Sequence, residues 1–309
     1  MTRFPLDAYG LVRRGNALAA DFSDDELAAA VRSGDLLRLT PGVYVDGSEH
    51  YATPAGAEQL FRLRSIAVAT TSTPQRHPLS HTSAAVVHGL PLLHPTLTHV
   101  HVTTGENRGG GIRSGRHVHP ADLCAADTVD IGGVCATTIE RTAVDVATMG
   151  DFAQALTVFD GALRRGADRE LMARTLHGPR PGVRPARRAL AVADPGSESV
   201  GESWSRAQII DAGLPGPLVQ RPAAGISGQL YRCDFGWGEN LLGEFDGLAK
   251  YGRLARPGED AADVTIREKR REDDLRAMGF VMIRWTWATL RSGRLVTLLR
   301  PWLARHGVS

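Results

Sequence analysis

The chain has 309 residues, of which 42% are apolar and 23% are charged, as in ordinary globular proteins. This length is sufficient for two or three domains with cores of their own. A net charge of +2 does not by itself indicate a nucleic-acid partner, and three widely spaced cysteines indicate neither a disulfide framework nor a zinc site. Because no apolar run has membrane-spanning length and the N-terminus lacks a signal-peptide core, we expect a cytoplasmic protein without a membrane partner.

The first segment, residues 1–51, is predicted to contain two short helices followed by a hairpin. The run Ser23-Asp24-Asp25-Glu26 has capping-box spacing and predicts a helix to about Ser33, which Gly34 ends. A shorter helix is predicted over residues 16–20. The runs LLRLT and VYV, separated by Pro-Gly, predict two strands joined by a turn. These are the parts of a winged helix-turn-helix.

The run ELAAAVRSGDLLRLTPGVYV resembles the N-terminal domain of the AbiEi-type antitoxins of type IV toxin–antitoxin systems. This resemblance implies DNA binding, repression of the protein's own operon and a cognate toxin as partner. The predicted recognition helix opens with acidic residues, and the basic groups available to DNA are Arg32 and Arg38. Base edges are read mostly by Arg, Lys, Asn and Gln, so a winged helix used for packing or protein contacts is an equal alternative.

The second segment, residues 56–180, mixes helix and strand. SHTSAAVVHGLP predicts a helix, while THVHVTT and RHVHP predict strands. The run IGGVCATTIERTAVDVA, followed by DGALRRG, resembles the middle domain that follows the winged helix in AbiEi-like proteins, for which no catalytic role is implied. Residues 181–197 are rich in Pro, Gly and Arg and are predicted to be a linker that holds a short helix around residues 186–193.

Histidines are concentrated in this second segment, where eight of the eleven lie between His77 and His119. Two pairs share a strand face each, His99 with His101 and His117 with His119, which is one way to build a transition-metal site. No carboxylate or cysteine partner is evident in the sequence. We therefore favour partly exposed strand histidines without a ligand role.

Three carboxylates mark the C-terminal segment, residues 198–309. Asp234 lies in LYRCDF, Glu244 and Asp246 lie in LLGEFDG, and a glycine-rich turn separates the two runs. Residues two apart on a strand project to the same face, and an antiparallel hairpin would bring Asp234 beside the other two. Clustered carboxylates favour a hard divalent cation, Mg²⁺ or Mn²⁺, and hence metal-assisted phosphodiester hydrolysis.

The predicted order of elements from residue 198 is α-β-β-β-α-β-α, which matches the core of the PD-(D/E)XK, or restriction-endonuclease-like, fold. The phrases GEFDG, EKRREDDLRAMGF and VMIRWTW resemble very-short-patch-repair endonuclease-like domains. This resemblance implies that Asp234 and Glu244 are metal-binding acids and that Glu202, on the preceding helix, completes the metal site.

The nuclease motif expects a lysine two residues after Glu244, where this chain has Asp246. Lys250 or Lys269 could supply the missing ammonium group. Arg270, Arg271 and Arg284 are predicted to contact phosphates. The leading hypothesis is a Mg²⁺-dependent DNA endonuclease, and the alternative is a non-catalytic AbiEi-like repressor with a degenerate nuclease fold.

Overall fold

The computed structural model describes residues 3–71, 77–247 and 261–308 of a mixed α/β protein. The chain divides into two compact units, residues 1–146 and residues 147–309. In these described ranges, no helix combines the length and the apolar character needed to cross a bilayer.

The first unit begins with two helices and a small sheet. They are β1 (Val12–Arg13), α1 (Arg14–Ala19), α2 (Asp24–Ser33), β2 (Leu36–Thr40) and β3 (Val43–Asp46), with strand order β1-β3-β2. Ser23 caps α2, since its hydroxyl accepts from the Glu26 N–H at 3.2 Å while the Glu26 carboxylate accepts from the Ser23 N–H at 2.9 Å. Gly34 ends the helix with φ 86°. The predicted capping box and C-terminal stop of this helix are confirmed.

The remainder of the first unit places helices beside small sheets. Its elements are α3 (Pro54–Thr71), α4 (His81–His88), β4 (Val100–Gly105), β5 (Gly111–Arg113), β6 (Arg116–Asp122), β7 (Thr128–Asp130), β8 (Cys135–Thr137) and the start of α5 (Ile139–Met149). Strand β6 lies between β4, to which it is parallel, and β5. One buried core contains both Val43 from the N-terminal sheet and Ile66 and Val100 from the following segment. The predicted boundary between residues 51 and 56 therefore falls inside one compact unit.

The second unit starts with a group of helices. They are α6 (Phe152–Arg164), α7 (Arg169–Thr175), α8 (Val183–Val192) and α9 (Val200–Asp211). The predicted linker, residues 181–197, contains α8, which packs against α6. The short helix predicted within this stretch is present, and burial of Val183, Ala186 and Leu190 follows its helical period.

A four-stranded mixed sheet completes the second unit. It consists of β9 (Leu218–Ala224), β10 (Leu230–Trp237), β11 (Leu241–Asp246) and β12 (Val281–Thr286), and α10 (Ala261–Ala277) precedes β12. Neighbours are antiparallel except β11 and β12, which are parallel. Phe235, Phe245 and Trp285 are buried in one apolar cluster. Within the described residues, the predicted order of strands and helices is present.

The predicted terminal helix is wrong in one respect, because the chain forms two helices there. These are α11 (Trp287–Arg291) and α12 (Leu295–Arg305). Gly293 lies between them with φ 65°, a left-handed conformation that ends the first helix.

Candidate functional sites

The first candidate site lies where the hairpin of β10 and β11 opens. The last registered pair is Phe235 with Gly243, so Asp234 and Glu244 are the next residues along the two strands. There the Phe245 N–H donates to Asp234 Oδ2 at 2.9 Å, so the Asp234 carboxylate accepts the hydrogen bond that a backbone carbonyl would accept in a regular strand pair. Asp234 thus contacts the backbone that follows Glu244. The predicted trio of Asp234, Glu244 and Asp246 does not bring three carboxylate oxygens within 4.8 Å of one another.

Two arginines from neighbouring elements contact the buried Glu244 carboxylate. Arg271 of α10 forms an ion pair with its Oε1, and Arg284 of β12 lies 3.5 Å from its Oε2. Glu244 and Arg284 are partners in the parallel register of β11 and β12. Arg284 also lies 3.8 Å from Asp246 and 3.2 Å from Glu272. The site therefore joins carboxylates of strand β11 and helix α10 to two guanidinium groups.

Charge and burial shift the titration of the groups around Glu244. Burial, the largest single influence, disfavours the charged form of Arg271, but the hydrogen bond to Glu244 and the charges of Glu244, Cys233 and Glu268 together outweigh it, and the pKa of the guanidinium is raised. Burial, together with the charge of Glu244, raises the pKa of the Cys233 thiol to about 11. Arg271 also approaches the Cys233 sulfur at 3.4 Å and the Arg232 carbonyl at 3.2 Å. Arg271 is thus held by several partners and is always charged.

Glu202 belongs to the N-terminus of α9, where its buried carboxylate accepts several hydrogen bonds. The donors are the Glu198 N–H at 2.9 Å, the Ser199 hydroxyl at 2.7 Å and Gln220 Nε2 at 3.0 Å. Ser199 in turn accepts from the Glu202 N–H, which gives a reciprocal cap. In this arrangement the carboxylate stabilises the helix start and ties it to strand β9.

The remaining predicted site residues are dispersed. Lys250 lies outside the described residues, while Lys269 and Arg270 are exposed on α10. In the first unit, Arg32 is exposed in the last turn of α2 and Arg38 is exposed on β2. Asp24 at the start of α2 is ion-paired with Arg14, so part of the acidic charge near this helix is neutralised.

A second candidate site, in the first unit, is a group of three histidines. His81, His101 and His119 each place one ring nitrogen within 4.8 Å of the other two. In the part of the chain that the structure describes, this is the one group of three or more His, Cys, Asp or Glu side chains with that spacing. His101 Nδ1 lies 2.8 Å from His119 Nε2, and the His81 and His119 rings stack with centroids 3.7 Å apart.

The backbone around these histidines is fixed by hydrogen bonds. The Ser80 N–H donates to the His101 carbonyl at 3.0 Å, and the His101 N–H donates to Ser83 Oγ at 2.8 Å. The start of α4 therefore both donates a hydrogen bond to β4 and accepts one from it. His81 has φ 50°, a left-handed conformation that is costly for a residue with a side chain and is often found at functional sites.

Burial keeps the clustered histidines neutral. It lowers the pKa of His101 to about 4 and of His119 to about 3, with His117 adding to each shift by its charge. The pKa of His81 is also lowered, chiefly by burial and then by His119. At neutral pH these rings are therefore uncharged and can offer lone pairs to a cation.

Sequence reasoning considered two of these histidines within a larger set, favoured no ligand role for them, and missed the third. His101 and His119 belong to the predicted strand pairs, but His81 comes from the start of a helix. The sequence feature that could have indicated His81 is its position directly after Ser80, the N-cap residue of α4, where the first helical turn meets a strand. His99, which was paired with His101, is not a member of the group.

No protein-family model matches the chain. Two curated relatives, both described as uncharacterized proteins of Mycobacterium tuberculosis, come from the strains CDC 1551 / Oshkosh and ATCC 25618 / H37Rv. Each is 34% identical to this chain over 157 residues, which is 50% of this chain and 55% of the relative. The chain thus spans about half the length of the curated relatives it matches.

Proposed function

We propose that the second unit contains a restriction-endonuclease-like domain that cleaves DNA with the help of Mg²⁺ or Mn²⁺. The observation that carries the proposal is the position of Asp234 against the backbone that follows Glu244, with Arg271 and Arg284 on the Glu244 carboxylate. The mixed sheet, with its antiparallel hairpin and its parallel last strand, supports the same interpretation. The first unit, with its two helices and small sheet, would serve as a winged helix-turn-helix that recruits DNA or a partner.

The ligand atoms fit a hard divalent cation by their chemistry. Mg²⁺ and Mn²⁺ prefer carboxylate oxygens, and Asp234, Glu244 and Asp246 offer them from adjacent strands. When bound, such an ion polarises the scissile phosphate and lowers the pKa of a water ligand. Because Glu244 is ion-paired with Arg271, the carboxylate must exchange this partner to act as a ligand. Glu202 would have an indirect role, because its hydrogen bonds fix the start of α9.

Arg271 and Arg284 would supply the positive charge that the nuclease motif normally obtains from its lysine. Arg271 is charged at every relevant pH and is held in place by Glu244 and Glu268, at 3.1 Å from the latter. Fixed cations beside a phosphate stabilise the negative charge that develops during hydrolysis. Arg284 lies within reach of both Glu244 and Asp246, so it can compensate the charge of these two acids at the end of β11.

A plasmid-nicking assay tests this function. The full chain should nick supercoiled DNA with Mg²⁺ or Mn²⁺ and not with a chelator. Asp234→Asn and Glu244→Gln should each reduce the rate by about 100-fold or more, the loss expected when a metal ligand or a charge-stabilising group is removed. Glu239→Gln is the matched control, because Glu239 is an exposed acid in the turn of the same hairpin. Nicking that survives both site substitutions would rule the proposal out.

A second candidate, a non-catalytic DNA-binding regulator of the AbiEi-antitoxin kind, is favoured by one specific observation. Both oxygens of Glu244 face guanidinium groups, so the carboxylate is already neutralised without a metal. In such a protein the nuclease-like fold would be a binding platform, and a toxin encoded nearby would be the partner.

Fluorescence anisotropy with DNA from upstream of the protein's own gene tests this alternative. A regulator should bind this DNA more tightly than a scrambled sequence, and binding should weaken as salt rises. Arg32→Ala and Arg38→Ala should each weaken it, whereas Arg174→Ala, an exposed arginine on α7, should not. Equal affinity for both sequences would refute sequence-specific regulation.

A further inference from the structure

The three-histidine group of the first unit lies apart in the chain from every residue used in the proposed nuclease. Its members come from three different elements: the first residue of α4, the second residue of β4 and the fourth residue of β6. No carboxylate belongs to the group, so its chemistry is that of nitrogen ligands. Imidazole suits Zn²⁺ and its neighbours among the transition metals rather than Mg²⁺.

The spacing of the ring nitrogens is close to what such an ion needs. Two nitrogens bound to one tetrahedral Zn²⁺ at 2.0–2.1 Å lie about 3.3 Å apart. His101 Nδ1 and His119 Nε2 are 2.8 Å apart, and the ligand atoms of all three residues lie within 4.8 Å of one another. Binding would replace the hydrogen bond between His101 and His119 with two bonds from their ring nitrogens to the ion.

The surrounding contacts orient the ligands. His81 Nδ1 lies 2.9 Å from Ser80 Oγ, and when Nδ1 donates its hydrogen there, Nε2 keeps its lone pair. His101 is held by the backbone hydrogen bonds between β4 and the start of α4. Arg141, a positive charge near the group, is ion-paired with the buried Asp145 at 2.9 Å.

A buried hydroxyl beside the group lacks a partner. Thr103 is paired with His119 in the parallel register of β4 and β6, and it lies two residues from His101 on the same strand face. Its Oγ1 is buried and makes no hydrogen bond to any described residue. Such orphaned groups call for an explanation, and a water bound to a metal would supply the missing partner.

We propose that His81, His101 and His119 bind one divalent transition-metal ion of the Zn²⁺ type, with a coordination position left for water next to Thr103. Three protein ligands and one open position are the arrangement of zinc sites that bind a water or an anion, whereas purely structural sites use four protein ligands. His117, whose ring centroid lies 4.0 Å from that of His119, would flank the ion and support the ligand set.

Isothermal titration of the tag-free, chelator-treated full chain with Zn²⁺ tests this site. We expect about one ion per chain and, for His101→Ala and His119→Ala, binding weakened by about 10- to 100-fold or lost. His81→Asn should behave alike, and asparagine tolerates the left-handed backbone of this position. His94→Asn is the matched control, since His94 is an exposed histidine with φ 47° between α4 and β4.

Cobalt supplies a readout that does not depend on affinity alone. The Co²⁺-loaded chain should show the visible absorption of a four-coordinate nitrogen-ligated ion, and His101→Ala should not. Circular dichroism establishes that each variant is folded. The proposal is overturned if the folded full chain takes up no Zn²⁺, or if His101→Ala and His119→Ala bind it as tightly as the unmodified chain.

Discussion

At the scale of single residues, the surroundings of Glu244 determine what each charged group can do. A carboxylate buried without partners would be protonated or would destabilise the fold. Here Arg271 and Arg284 compensate its charge, and Arg271 in turn also binds Glu268. The same carboxylate opposes ionisation of the neighbouring Cys233.

Cys233 should therefore be chemically inert in the folded chain. Its pKa of about 11 means that almost none of the thiol is ionised at pH 8, and only the thiolate reacts with alkylating reagents. Mass spectrometry after iodoacetamide treatment should find Cys124, which is exposed, modified and Cys233 unmodified. In denaturant both should react. Rapid labelling of Cys233 without denaturant would contradict the burial of this thiol.

At the scale of elements, helix α9 is attached to its neighbours by close packing and by a buried ion pair. A methyl group on Gly201 would overlap the ring of Phe245 on β11, which only glycine avoids. On the same helix, Arg206 lies 2.7 Å from Asp160 of α6, and both side chains are almost completely buried. These contacts tie the helices of residues 147–211 to the mixed sheet.

Gly201→Ala should destabilise the second unit through overpacking. The expected loss in free energy of unfolding is about 1–3 kcal/mol, because the helix or the ring must shift. Gly216→Ala is the control, since a methyl group there meets no atom within 4 Å. Urea unfolding followed by circular dichroism measures both. Equal stability of the two variants would show that α9 packs less tightly on β11.

Asp160→Asn should cost considerably more than the loss of an exposed ion pair. It leaves the Arg206 guanidinium buried without a counter-charge, a change that costs about 3–5 kcal/mol. Asp211→Asn removes a comparable contact to Arg188 where both side chains are 50% exposed, so about 0–1 kcal/mol is expected. A double variant with Arg206→Met should recover part of the loss. Similar unfolding free energies for Asp160→Asn and Asp211→Asn would be the contrary result.

At the scale of the whole molecule, the two compact units differ from the predicted domains. The N-terminal helices and hairpin share a core with α3 and β4, so they are part of a larger unit. The helices from residue 147 onward belong with the C-terminal sheet, although they were predicted to close the middle domain. Buried side chains shared between segments decide which of them form one unit, and such sharing leaves little trace in local composition.

The histidine group should make the metal-free chain sensitive to acid. The pKa values of His101 and His119 in the folded state, about 4 and about 3, lie below the ordinary 6.5. The unfolded chain therefore binds more protons as pH falls below 6.5, and stability decreases towards pH 4. Each histidine contributes at most about 1.4 kcal/mol per pH unit.

Unfolding by urea between pH 7 and pH 4, in the presence of a chelator, measures this dependence. His119→Gln should flatten the slope, because glutamine takes up no proton. His50→Gln, at an exposed site outside the group, should leave it unchanged. A pH dependence identical in His119→Gln and the unmodified chain would mean that His119 is accessible to protons when folded.

Local sequence rules were enough to predict the helices and strands around the first site. Three features depend only on neighbouring residues: the capping box of Ser23, the turn between β10 and β11, and the shared strand face of Glu244 and Asp246. Local rules were therefore sufficient to predict them. Which arginines contact Glu244 depends on the tertiary fold, because Arg271 and Arg284 lie 27 and 40 positions further along the chain.

The same limit applies to the histidines and to the division into units. The strand pattern predicted the positions of His101 and His119, but nothing in it connects them with His81 or with the unpaired Thr103 hydroxyl. Ligand groups form from residues that are distant in the chain and close in space. Their spacing is set by the pairing of β4 with β6 and by the attachment of α4, which only the folded chain specifies.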